Sequence, residues 1–104
     1  MIISTTSFIE GRNIKEYRGV VFGEAISGID FVKDFAANIA NSFGGRVLEY
    51  EQELVDARAD AIDSMVQRAK KIGANALVGV KVDVEVINGS MIMVMASGTA
   101  VLID

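Results

Sequence analysis

Cysteine is absent from the 104 residues, and disulfides, thiolate metal sites and cysteine nucleophiles are absent with it. Histidine is also missing. That removes the commonest metal ligand, the commonest general base and the usual charge switch near neutrality. Ser-His-Asp and Cys-His chemistry is therefore excluded. A structural zinc ion would have only carboxylates as strong ligands. There is no proline, no low-complexity tract and no internal repeat, so no linker is marked and residues 1–104 are read as one domain. No apolar run reaches the roughly 18 residues of a membrane helix. The N-terminal MIISTTSFIEGRN lacks the basic and apolar regions of a secretory signal. A cytoplasmic protein with no membrane partner is expected. Basic residues are outnumbered, 10 against 14 acidic, for a net charge of -4. That argues against nucleic acid as a partner, since sequence-independent binding needs a basic surface.

Apolar residues are plentiful. They make up 51% of the chain, with mean hydropathy +0.38. A chain of this length encloses little interior. Either its core is unusually full or apolar surface is buried between subunits, and the second is expected.

The chain is organised around Arg46 to Ile72, which reads as one long amphipathic helix. Leu48, Val55, Ile62, Val66 and Ala69 share a side at helical spacing. Arg58 falls on that side, with Leu54, Val55, Ala61 and Ile62 as its helical neighbours. A buried guanidinium needs a carboxylate or carbonyl partner. Acid in the first half and Arg68, Lys70 and Lys71 in the last turns suit the helix dipole. Gly73 closes the helix.

Before it, MIIS is a short strand-like piece and residues 5–16 form a loop. Tyr17 to Ile26 is a strand with Val20, Phe22, Glu24 and Ile26 on one face, expected to look toward the core. Asp30 to Phe43 reads as a helix with Asp30 as N-cap, ended by Gly44-Gly45. After the long helix, Ala76 to Ile87 alternates valines with Gly79, Lys81, Asp83 and Glu85, and Asn88-Gly89 signals a hairpin turn. Met91 to Ile103 is the partner strand. A two-residue loop puts Val86, Val84 and Val82 opposite Met91, Met93 and Met95, so valines and methionines make the inner face. Ile92 and Val94 then point outward, and a second subunit is the expected cover. The expected fold is α+β: an antiparallel sheet with two consecutive helices on one face, in the order β-α-α-β-β, ending in a C-terminal β-hairpin.

Three constellations carry candidate chemistry. Met91, Met93 and Met95 suit soft metals, but on an inner face they are core filler. The acidic residues of the long helix form a solvated face rather than a wrapped cation site. The triple Glu24, Glu51 and Arg58 is either a structural ion pair or a site orienting a small polar ligand of unknown identity. No catalytic residue, metal ligand or cofactor is identified.

The stretches STT, IEGRNI, YRGVVFGEAI, GGRVLEYEQELVDARADAI, GANALVGVKVDVE and MVMASGTAV run in order along nearly the whole chain. Together they resemble the YbjQ-like family of small proteins without an established activity, labelled heavy-metal-binding. The resemblance implies a small α+β subunit similar to that of dodecin, assembling with itself into a ring, a pentamer. Glu24, Tyr50, Glu51 and Arg58 fall within the family's GE and YE…AR segments. Without histidine or cysteine this chain departs from what a heavy-metal label requires. Two function classes stay open: a non-catalytic assembly or binding module, and an enzyme or small-ligand binder with a site around Arg58 and Glu24 at subunit boundaries.

Overall fold

The computed structural model describes residues 1–27, 45–87 and 91–104, with side chains described outside 45–50. Its elements are β1 (Ile2–Ile3), β2 (Ile14–Ile26), the helix α1 (Gly45–Lys71), β3 (Ala76–Ile87) and β4 (Met91–Ile103). They build a four-stranded sheet in the order β1-β3-β4-β2. β4 is antiparallel to both neighbours, and β1 runs parallel to β3. The sheet is thus mixed, not wholly antiparallel as expected. The helix expected over Asp30 to Phe43 and the Asn88-Gly89 turn lie outside the described residues. Gly45, expected to end the first helix, begins the long one. No helix among the described residues is long and apolar enough to cross a membrane.

α1 packs on one face of the sheet through small side chains. Ala57, Ala61, Met65 and Ala69 are buried, with Leu54, Ile62 and Val66 flanking them. Val55 is exposed. The buried stripe is rotated by roughly a quarter turn from the one centred on Val55, Ile62 and Val66. Gly23 on β2 explains the rotation. A Cβ there would overlap the Ala61 carbonyl oxygen and lie 2.5 Å from the Met65 amide nitrogen. Helix backbone therefore rests directly on strand backbone, which only alanine-sized residues around it permit. Gly98 on β4 leaves room for side chains instead, its missing Cβ lying 3.0 Å from Val80 Cγ2 and 3.6 Å from the Met65 sulfur. The helix ends in a Schellman motif: Gly73 N–H donates to Lys70 O and Ala74 N–H to Ala69 O, with Gly73 at φ 84°.

This contact decides the faces of β2. Val21, Gly23 and Ala25 look toward the helix, while Val20, Phe22, Glu24 and Ile26 look away. The expectation that Glu24 faces the core is reversed, because the bulkier set has no room beneath α1.

The hairpin register is also one residue from the expected one. Ile87 pairs with Met91, Val86 with Ile92, Val84 with Val94 and Val82 with Ala96. Three residues, not two, separate the paired ends, and a slip of one residue exchanges the faces. Val94 and Ala96 are fully buried under α1, and Ile92 packs beside them. The methionines therefore lie on the outer face, opposite Ile87, Glu85 and Asp83. A bulge between Val78 and Lys81, with Gly79 at φ 60°, switches the phase of β3. Below the bulge, Ala76 and Val78 join Val101 and Ile103 in a second small core on the outer face, covered by Ile9 and Ile14.

Replacing Gly23 by alanine should lower stability by at least about 1–3 kcal/mol, since the clash is with backbone that cannot turn aside. Urea denaturation measures it, and a Gly23→Ala midpoint equal to wild type would contradict the packing described.

Candidate functional site

Among the described residues β2 is an edge strand, and its edge chemistry follows from one hydrogen bond. Ser27 N–H donates to Ile92 O, so odd-numbered residues of β2 point their backbone groups at β4. Val20, Phe22, Glu24 and Ile26 consequently turn theirs to the free edge. Arg68 reaches round from α1 to this edge. Its Nη1 donates to Phe22 O at 2.6 Å and to Glu24 Oε2 at 2.9 Å. One guanidinium thus closes an open carbonyl and neutralises a carboxylate. Both side chains are about half exposed, so the pair is worth little as an ion pair alone.

The three residues singled out from sequence are not brought together within one chain. Glu24 pairs with Arg68, while Glu51 and Arg58 are exposed. Among the described residues Arg58 makes no ion pair. It lies near the buried stripe in helical projection, and its long stem carries the charge to water. Arg68 was missed because its partner lies 44 residues away and its reach depends on how α1 crosses the sheet. The signal available was Arg68 on a helix end and Glu24 alone among apolar strand residues.

Above the small second core, the outer face presents cross-strand rows. On β4, Ser97 lies between Phe22 and Lys81, Met95 between Glu24 and Asp83, and Met93 between Ile26 and Glu85. Val20, Phe22 and Ile26 are 66%, 52% and 60% exposed. Met93 and Met95 are half-buried. Lys81 Nζ stands 3.5 Å from Asp83 Oδ1.

An open cleft of about 610 Å³ lies along the N-terminal segment, lined by Ile2, Ile3, Ser4, Thr6, Phe8 and Glu10 among others. Two of its three serine and threonine hydroxyls are committed locally. Ser4 Oγ and Thr6 Oγ1 are 2.5 Å apart, and Thr6 Oγ1 donates to Phe8 O at 2.6 Å. They tie the loop together rather than offer free donors.

A family model described as "Putative heavy-metal-binding", YbjQ, matches residues 1–104. The chain belongs to the YbjQ family. It is 57% identical over 106 residues to a UPF0145 protein of Acetivibrio thermocellus, covering 100% of both. It is 60% identical over 103 residues to one of Clostridium botulinum, covering 97% of each. A solved structure from Pediococcus pentosaceus, titled as a protein with unknown function of the DUF74 family, has a TM-score of 0.62 at 20% identity. It covers 100% of this chain and 98% of that one, and it shows a shared fold.

The donors present do not fit the family's heavy-metal description. Thiolate and imidazole are absent from the chain, and no group of three or more carboxylates gathers among the described residues. Thioethers suit soft ions such as monovalent copper. Met91, Met93 and Met95 are spaced about 7 Å apart at the backbone of one strand. Zinc titration by calorimetry should therefore give no sub-micromolar site. A sub-micromolar site abolished by replacing acidic residues would overturn that expectation.

Arg68→Met should cost about 0.5–1 kcal/mol through the lost edge bonds. Arg58→Met should stay within about 0.5 kcal/mol in a single folded chain. Thermal melts at concentrations too dilute for association separate the two. The opposite ranking would return Arg58 to the structural role expected from its helical neighbours.

Proposed function

We propose that this YbjQ-family chain is a non-catalytic module that works as a homo-oligomer, closing with copies of itself into a ring. The observation that carries this reading is its surplus surface. The chain exposes 6426 Å², where a compact monomer of 11.1 kDa exposes about 5,700 Å². Its radius of gyration is 16.7 Å, against about 13 Å for a compact domain of this length. The excess, roughly 700 Å², is close to the ~800 Å² that one partner contributes to a standard interface. A head-to-tail contact that closes gives a ring. A pentamer of dodecin-like subunits is the form that the family resemblance suggests. The partner is the chain itself, in the cytoplasm, with neither nucleic acid nor membrane required.

The second reading is a small-ligand site, or an enzyme's site, around Arg58 and Glu24 at a subunit boundary. What favours it is that Arg58 and Glu51 are exposed on α1 with no ion pair among the described residues, free to meet groups of another chain. Under either reading the family's metal description amounts to weak binding at surface carboxylates.

Native mass spectrometry of gently purified protein tests both readings. The expected result is one closed oligomer with no additional mass. A retained small molecule lost on Arg58→Met would move the reading to the ligand site. An 11 kDa species at micromolar concentration would exclude the ring.

A further inference from the structure

We infer that the upper half of the outer sheet face, centred on Phe22, Ile26, Met93 and Met95, is the seat of a second copy of this chain. This rests on the assembly reading and specifies where the contact lies. The chain covers this same face with its own N-terminal loop only as far as Val78 and Val101, where Ile9 and Ile14 pack. Beyond the bulge no described residue covers it, and Val20, Phe22 and Ile26 stay more than half exposed. The composition is that of an interface centre, an aromatic ring and methionines among aliphatics, with charge at the rim.

Most of that rim is already paired within the chain, Glu85 being the rim charge with no ion pair among the described residues. Lys81 stands by Asp83 and Arg68 by Glu24. The occupant therefore needs no strong complementary charge, which fits another copy of a weakly acidic chain. The surplus surface fits the same occupant, since it is close to one partner's share of a standard interface. Arg68 also selects the mode of contact. It holds the Phe22 carbonyl in the middle of the β2 edge, which discourages a neighbour's strand from adding there. The copy meets the face instead of extending the sheet.

The test compares wild type with Phe22→Asp and Ile26→Asp, outward positions whose change leaves the α1 side untouched. Light scattering gives mass, far-ultraviolet circular dichroism gives folding, and peroxide oxidation read by mass spectrometry gives the exposure of Met93 and Met95. Folded variants that run as 11 kDa monomers, with Met93 and Met95 oxidised several-fold faster than in wild type, are the expected result. Folded variants that assemble as wild type overturn the seat and leave the assembly reading standing. Should both variants unfold, wild type across a dilution series decides. Protection of Met93 and Met95 that grows with assembly supports the seat, and oxidation indifferent to assembly overturns it. A wild type that is monomeric throughout removes the assembly reading and this inference together.

Discussion

Everything else in the described fold depends on the backbone-to-backbone contact between α1 and β2. Gly23 has no Cβ, so the helix settles until the Ala61 carbonyl meets the strand. Ala57, Ala61 and Ala69 then bury the helix without holding it away from the sheet, and Met65 fills the space over Gly98. Close packing of this kind leaves no room for a one-residue error. It determines which face of β2 is inside, and through the β2–β4 register it determines the inside of β4 as well.

The price of that arrangement is a sheet whose bulkier side chains face outward. Phe22, Ile26 and the methionines cannot lie under α1, so they collect on the opposite face. The bulge at Gly79 lets one strand serve two cores, one beneath the helix and one beneath the N-terminal loop. The same bulge marks where the loop's cover stops. Apolar surface beyond it is a structural consequence of tight packing elsewhere, and it is the surface that the proposed oligomer would remove from water.

Arg68 connects these features. Its stem leaves the end of the helix and its head closes the strand edge, so the guanidinium occupies a carbonyl that would otherwise invite another strand. In the proposed assembly a copy is thereby directed to the face. Among the described residues the ion pairs lie within β2 and within β3, or join β2 to α1 and to the C-terminal Asp104.

Much of the fold was legible in the residues. β3 and β4 have the bounds their alternation implies, and α1 spans its expected stretch to within about a residue at each end. The Schellman stop at Gly73 was readable because it is local. The family was readable from motifs that run the length of the chain. What sequence could not decide was which face of each element is the inside. Periodicity shows that two faces exist, and on β2 and β4 both are apolar. The choice came from Gly23 meeting Ala61 and from a hairpin one residue longer than expected. It reversed Glu24, moved the methionines outward and, within one chain, paired Glu24 with Arg68. Spacing along the chain determines local structure, because it depends on neighbours a few residues away. Sidedness and partnership depend on which distant backbone comes closest, and only the tertiary structure decided that.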